Sequence, residues 1–260
     1  VPANGGLFLL AGRPELTAFF NEHVIDVVRN REKYAAMGIS FPAPIILQGP
    51  PGCGKTYAVE QLVEYLAWPS FQIDASTIAS PYIHETSKKI AEFFDKAIEQ
   101  APSVVVIDEM DAFLTDRQSE GHSHRVEEVA EFLRRIPQAP KQQVLILGMT
   151  NRIDIIDPAI LRRGRFDHII NVDYASEDDV LALLEKLLLP LPKEHPLDLQ
   201  VLASALTKRH LSDVSFVVRE GARLAVRTGQ SRISQDNLLA ALKTVSLSDK
   251  SKSQHRIGFI

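Results

Sequence analysis

The sequence has few of the features that mark secreted, membrane-spanning or disulfide-bonded proteins. Its single cysteine, Cys53, cannot form a disulfide within the chain and suits a reducing compartment. No apolar run reaches the roughly 18 residues that a membrane-spanning helix requires. The first residues, VPANGG, include neither an initiator Met nor a signal-peptide pattern. We therefore expect a fragment of a longer protein from the cytoplasm or another reducing intracellular compartment.

The sequence also lacks an excess of positive charge. Its formal net charge is −4 and its isoelectric point is near 6.1, which argues against general electrostatic binding to nucleic acid. Hydrophobic residues make up 45% and charged residues 24%, as in ordinary globular proteins. A chain of 260 residues is long enough for one large domain or two unequal ones.

Short apolar runs indicate a parallel β-sheet in the first two thirds of the chain. The runs are continuous rather than alternating, which is typical of strands buried on both faces. They are Ile45–Leu47, Val104–Ile107, Val144–Leu147 and Ile169–Val172, with a weaker candidate at Phe71–Ile73. Helical patterns lie between them at 58–67 and 90–99. This alternation predicts an α/β domain with a doubly wound parallel sheet over residues 1–173.

After Tyr174 the pattern is helical only. Four helices are expected, one after Ser176, one over 197–206, one over 212–227 and one after Ser234. They predict a small four-helix lid domain over 174–248, followed by a C-terminal tail over 249–260.

A phosphate-binding loop follows the first apolar run. The segment GPPGCGKT at 49–56 fits the pattern G-x-x-x-x-G-K-[ST], in which backbone N–H groups surround phosphate oxygens. Lys55 is expected to bridge the β- and γ-phosphates, and Thr56 to bind Mg²⁺. The alternative is a Gly/Pro turn with an incidental lysine. The candidate ATP-binding residues here are Pro50, Pro51, Gly52, Cys53, Gly54, Lys55, Thr56 and Tyr57.

Two carboxylates end the apolar run at Val104–Ile107. Asp108 and Glu109 are expected at the carboxyl edge of the sheet, where ligands of such sheets bind. We assign Asp108 to the Mg²⁺ and Glu109 to activation of the attacking water as a general base. The alternative is a pair of acids that cap a following helix, and helix capping is the role expected of Asp111.

Two further segments make the sequence resemble the AAA clade of AAA+ ATPases, the ring-forming protein remodellers. The segment TNR at 150–152 resembles the sensor-1 segment of this family, and DPAILRRGRFD at 157–167 resembles its second region of homology. The resemblance implies that Asn151 contacts the γ-phosphate or the water. It also implies that Arg162 and Arg165 are arginine fingers that reach the ATP of a neighbouring subunit. Alternatively, the three arginines of this segment pair with Asp154, Asp157 and Asp167.

The resemblance extends to three less regular segments. The segment at 78–86 is similar to the first pore loop, which implies that Tyr82 and Ile83 grip a protein substrate. Ala11-Gly12 is similar to the adenine-contacting segment, which makes Gly12 a candidate ATP-binding residue. The segment at 209–214 is similar to a lid turn near the nucleotide, but Leu211 replaces the usual glycine.

Together these residues predict an ATPase that uses Mg²⁺ and ATP. The resemblance implies that it is a subunit of a homo-oligomer, expected to be a hexamer. The resemblance implies that it remodels, unfolds or disassembles a protein substrate by threading it through a pore. An adaptor or protease partner is expected to act through an N-terminal region. Two alternatives are a DNA-directed loader or initiator of the AAA+ type, and an assembly scaffold timed by hydrolysis.

Overall fold

The computed structural model describes residues 6–74, 76, 85–115 and 123–254. The chain divides into two compact units. The larger unit contains most of the chain up to Asp173, and the smaller unit begins at Tyr174. Two short segments, 11–14 and 52–54, belong to the smaller unit. The boundaries predicted for the domains remain a prediction.

The larger unit contains a five-stranded parallel sheet in the order β2-β3-β4-β1-β5. All five predicted strands are present. Their bounds are β1 Ile45–Gln48, β2 Ser70–Ile73, β3 Ser103–Ile107, β4 Val144–Thr150 and β5 His168–Asn171. Because β4 lies between β1 and β3, the loops that follow these three strands meet at one edge of the sheet.

Burial of the strands follows their place in the sheet. Every residue of β3 and β4 is buried, whereas the edge strands β2 and β5 expose alternate residues. A central parallel strand is covered on both faces, so its sequence is continuously apolar, but an edge strand alternates. This difference explains why β2 gave the weakest signal in the sequence.

Helices surround this sheet. They are α1 Pro14–Phe20, α2 Asp26–Arg29, α3 Arg31–Ala36, α4 Lys55–Leu66, α5 Glu85–Glu99 and α6 Ser123–Arg135, with a π-helical turn Asn21–Ile25 and 3₁₀ turns Met110–Ala112, Ile136–Gln142 and Ile153–Ile155. Phe94 of α5 and Phe132 of α6 meet edge to face in the core against the sheet, with ring centroids 6.0 Å apart. The α/β fold predicted from the sequence is therefore confirmed.

The described part of the smaller unit, which ends at residue 254, contains four helices. They are α7 Glu177–Leu188, α8 Leu199–Leu206, α9 Leu211–Arg227 and α10 Gln235–Gln254. A capping box formed by Ser176 and Asp179 begins α7, as the sequence indicated. A Cβ added at Gly221 of α9 would lie 2.8 Å from Leu238 of α10, so these two helices pack closely. The last helix continues to Gln254, into the segment expected to be a tail.

Among the described residues, no helix is both long and apolar enough to cross a membrane.

Candidate functional site

The phosphate-binding loop occupies the turn between β1 and α4. Helix α4 begins at Lys55, three residues earlier than its apolar pattern indicated, so the N-terminus of the helix opens directly on the loop. Backbone N–H groups at a helix N-terminus have no partner within the helix and attract anions. Gly52 and Gly54 have φ values of 75° and 100°, which side chains with a Cβ rarely adopt. The local backbone is therefore suited to a phosphate group.

The ammonium group of Lys55 is buried among oxygen atoms. Its Nζ donates to the carbonyl oxygens of Gly49 and Pro50 at 2.8 and 2.9 Å, and to Oδ1 of Asn151 at 2.9 Å. Lys55 is only 8% exposed, so these acceptors take the place of water around its charge. The structure thus brings the predicted phosphate-binding lysine into contact with the predicted sensor, 96 residues further along the chain.

The middle of the loop, 52–54, belongs to the smaller unit and contacts other residues of that unit. The backbone N–H of Leu211 donates to the carbonyl oxygen of Gly52 at 2.9 Å, and the guanidinium of Arg13 donates to that of Cys53. The ring of His210 lies where a Cβ on Gly52 would be, and the side chain of Leu211 lies where one on Gly54 would be. No motif in the sequence identified Arg13 as a partner of the loop.

We expect Gly52→Ala to lower the free energy of unfolding by about 1–3 kcal/mol and to weaken ATP binding, because the added methyl overlaps His210 at a positive φ. Chemical denaturation and equilibrium ATP binding measure these effects. Gly229→Ala is the matched control, since Gly229 has a φ of 73° and no neighbouring atom within 4 Å of an added Cβ. Removing the ring with His210→Ala is expected to restore part of the loss. Equal destabilisation by Gly52→Ala and Gly229→Ala would contradict the overlap.

The remaining predicted nucleotide contacts vary in exposure. Cys53 is fully buried, which agrees with a small packing residue. Thr56 is exposed in the first turn of α4, and Tyr57 is half-buried. Gly12 has a φ of 70°, and its Cα lies against the backbone carbonyl of Asp179.

The two predicted carboxylates follow β3. The backbone N–H of Asp108 donates to the carbonyl oxygen of Ile73 on β2, which fixes its position at the carboxyl edge of the sheet. Oδ1 of Asp108 accepts from the backbone N–H of Glu109 at 2.8 Å. Glu109 is exposed and adopts a left-handed conformation with φ 48° and ψ 47°. Such a conformation costs a non-glycine residue about 1–3 kcal/mol, and strained residues of this kind cluster at functional sites.

Asp111 does not have the role predicted from the sequence. Its carboxylate accepts from the hydroxyl of Thr150 at 2.5 Å and from the backbone N–H of Asn151 at 3.1 Å. It therefore binds the end of β4, and the prediction that it caps a helix is wrong.

The segment at 157–167, called the arginine segment here, lies between β4 and β5. Arg162 and Arg163 are exposed, whereas Arg165 is half-buried and donates to the carbonyl oxygen of Ala159. Two of the three aspartates that are the alternative partners, Asp154 and Asp167, have other contacts. Asp154 pairs with Arg152 at 2.8 Å, and Asp167 accepts from the backbone N–H of Gly164 at 2.6 Å.

Two side chains near these loops have a lowered pKa. The side-chain hydrogen bond from Arg152 lowers the pKa of Asp154. Burial, followed by the charge of His23, lowers the pKa of His168 at the start of β5.

Part of the predicted substrate site lies outside the described residues. Tyr82 and Ile83, the candidate pore-loop residues, fall in this part of the chain.

A family model described as "ATPase family associated with various cellular activities (AAA)" matches residues 45–174, from β1 to the end of the larger unit. The match covers half of the chain and includes the phosphate-binding loop, the carboxylates and the arginine segment. The chain belongs to the AAA family of ATPases.

Similar curated proteins are ATP-dependent zinc metalloproteases named FtsH. The protein from Thermobaculum terrenum is 30% identical over 234 residues, which cover 88% of this chain and 36% of that protein. FtsH 4 from Sphaerobacter thermophilus is 31% identical over 242 residues, covering 92% of this chain and 37% of that protein. FtsH from Mycoplasmopsis pulmonis is 37% identical over 172 residues, covering 64% and 24% respectively. The chain thus spans about a third of the first two relatives.

As a member of the AAA family, the chain is an ATPase that uses ATP with Mg²⁺. The chemistry of the described residues fits this pair of ligands. Lys55 supplies a buried positive charge beside a helix N-terminus, which suits phosphate oxygens. The hydroxyl of Thr56 and the carboxylate of Asp108 are hard oxygen donors, the type that Mg²⁺ prefers.

Proposed function

We propose that this chain is the motor subunit of a homo-hexameric ring that hydrolyses Mg-ATP and uses the energy to remodel or unfold a protein. The observation that supports it best is the contact between Lys55 and Asn151, since it links the phosphate-binding loop to the residue after β4. The carboxylates that follow β3 lie along the same sheet edge, because β1, β4 and β3 are parallel neighbours in the sheet.

In this proposal each residue of the AAA site has one task. Lys55 and the loop amides hold the triphosphate, and Thr56 and Asp108 hold the Mg²⁺, which lowers the charge on the phosphate oxygens. Glu109 takes a proton from the attacking water, and Asn151 orients that water or the γ-phosphate. Gly12 and Tyr57 line the rest of the nucleotide site.

Arg162 and Arg165 complete the proposed site of a neighbouring subunit. A guanidinium beside the γ-phosphate stabilises the charge of the transition state. The exposure of Arg162 supports this role, because an exposed guanidinium is accessible to a second chain. Arg165 is anchored to Ala159 and supports the same turn.

The protein substrate is suggested by the printed names of the relatives, which are ATP-dependent zinc metalloproteases. The sequence of this chain has no H-E-x-x-H zinc motif, so cleavage of a substrate would belong to another part of the protein or to a partner. We propose that Tyr82 and Ile83 grip the substrate, and that the protein acts in a reducing compartment. A DNA-directed ATPase is the less favoured candidate because the net charge is −4.

Tyr82→Ala is expected to slow ATP-dependent unfolding of a fluorescent reporter with an unstructured tail by roughly tenfold, since an aromatic contact is worth about 1.5 kcal/mol. ATP hydrolysis should continue, because Tyr82 is not placed in the nucleotide site. Loss of fluorescence and release of phosphate are measured on the same samples. Tyr82→Phe is the control and should keep most of the activity. Unfolding at the normal rate by Tyr82→Ala would contradict threading, and DNA-stimulated hydrolysis would favour the DNA-directed alternative.

A further inference from the structure

Asp111 connects the two loops that the proposed mechanism assigns to the water. It lies in the 3₁₀ turn Met110–Ala112, two residues after Glu109. Its side chain reaches the end of β4, which is 39 residues further along the chain at Thr150. The turn that follows the proposed general base is thereby hydrogen-bonded to the end of the strand that precedes the proposed sensor.

One oxygen atom makes both contacts. Oδ1 of Asp111 accepts from the hydroxyl of Thr150 at 2.5 Å and from the backbone N–H of Asn151 at 3.1 Å. Two donors that converge on one acceptor fix the direction of the carboxylate and the conformation of the backbone at Asn151.

The hydroxyl of Thr150 extends this connection. Thr150 is 1% exposed, and its Oγ1 also accepts from the backbone N–H of Arg152 at 3.0 Å. This buried hydroxyl therefore both donates and accepts a hydrogen bond. Removal of the Asp111 carboxylate would leave the O–H of Thr150 without that acceptor. The turn from Thr150 to Arg152 depends on Asp111 for its conformation.

The connection continues to the phosphate-binding lysine. Oδ1 of Asn151 accepts from Nζ of Lys55 at 2.9 Å. The hydrogen bonds thus run from Asp111 through the backbone and side chain of Asn151 to Lys55. Each step lies within the larger unit.

We propose that Asp111 is a positioning residue for ATP hydrolysis, which sets the orientation of Asn151 relative to Glu109 and Lys55. Its task is to accept hydrogen bonds at Oδ1, and its negative charge is not required. This inference rests on the proposed roles of Glu109 and Asn151. Since a displacement of about 1 Å can cost roughly 10²-fold in rate, loss of this acceptor is expected to affect kcat more than nucleotide affinity.

The first test compares two substitutions at the same position. Asp111→Ala removes the acceptor, and we expect kcat for ATP to fall by about 10–100-fold with little change in KM or in equilibrium binding of ATP. Asp111→Asn keeps an oxygen at Oδ1 that can accept both hydrogen bonds, so it should restore most of kcat. An inactive Asp111→Asn would overturn the inference, because the charge would then be essential.

A second variant keeps the test independent of how well Asp111→Ala folds. Thr150→Val removes the hydroxyl from a side chain of the same shape, and a similar fall in kcat is expected. The double variant Asp111→Ala/Thr150→Val should be little worse than either single variant, since both break one connection. Multiplicative losses would contradict a shared connection. Asp154→Ala, which removes an exposed carboxylate two residues beyond Arg152, is the control and should leave kcat unchanged.

The outcomes separate this inference from the proposed function. Normal kcat in both Asp111→Ala and Thr150→Val, while Glu109→Gln is inactive, would refute only the positioning role. A parallel loss of kcat, ATP affinity and melting temperature would assign Asp111 to stability alone. Normal hydrolysis by Glu109→Gln would refute the proposed function itself, whatever the result at position 111.

Discussion

The Glu109→Gln variant is expected to bind ATP as tightly as the unsubstituted chain and to hydrolyse it about 10²–10⁴-fold more slowly, the range that a general base contributes. Glutamine has the same shape as glutamate but cannot take a proton from water. Glu109 is exposed just after β3, so the substitution changes a side chain that faces solvent. Release of phosphate and binding of a radiolabelled nucleotide measure the two effects separately.

The matched control for this substitution is Glu99→Gln. Glu99 is an exposed glutamate at the end of α5, and its substitution makes the same change of charge away from the loops. It should leave both binding and hydrolysis unchanged. If Glu109→Gln hydrolysed ATP at the normal rate, another group would have to activate the water, and the role proposed for Glu109 would be refuted.

The second large effect is expected at Arg162. Arg162→Ala should lower kcat by about 10³-fold, because an arginine finger stabilises transition-state charge. In a ring the guanidinium of Arg162 acts in the site of the neighbouring subunit. Mixing the variant with chains that retain Arg162 should therefore restore part of its ATP hydrolysis. Chains with Lys55→Ala keep their own Arg162 but cannot bind ATP. Mixed with Arg162→Ala chains, they should supply the missing group and restore part of the hydrolysis.

Arg163→Ala is the control for the arginine segment. Arg163 is also exposed and follows Arg162 directly, so its substitution by alanine changes the charge by the same amount. Because Arg163 has no assigned role, the variant should hydrolyse ATP at a nearly normal rate. Full activity of Arg162→Ala would contradict its role as a finger. A defect that is not relieved by mixing would contradict a site shared between subunits. A ring also requires that the specific activity of the unsubstituted chain rise with protein concentration.

The sequence predicts the sheet well because the strands are read from local composition. The central strands β3 and β4 are buried throughout, and their apolar runs are continuous. Edge strand β2 exposes alternate residues, which weakened its signal without hiding it. Helix ends were less accurate. The start of α4 at Lys55 was missed because its first turn contains no apolar stripe facing the core until Ala58.

Motif residues were easier to predict than the residues that support them. Lys55 and Asn151 each stand in a recognisable local pattern, and the structure brings them within hydrogen-bonding distance. Asp111 was assigned the wrong role because its partners are 39 and 40 residues away, and local spacing carries no information about such contacts. Arg13 was missed for the same reason, since it reaches Cys53 across 40 residues.

The left-handed conformation of Glu109 could not be predicted either. No rule of composition places a glutamate at φ 48°, and a glycine or asparagine is the usual choice. The conformation arises from the surrounding hydrogen bonds, in which the N–H of Glu109 donates to Asp108 and its carbonyl oxygen accepts from Ala112.

The nucleotide retained by Glu109→Gln after incubation with Mg-ATP and rapid gel filtration tests the central claim most directly. We predict that Glu109→Gln retains intact ATP at about one molecule per chain, and that the double variant Glu109→Gln/Lys55→Ala retains no nucleotide. Retained ADP would mean that the water is activated elsewhere. Retention of ATP by the double variant Glu109→Gln/Lys55→Ala, or no retention by either variant, would contradict the binding of the triphosphate by the loop at 49–56.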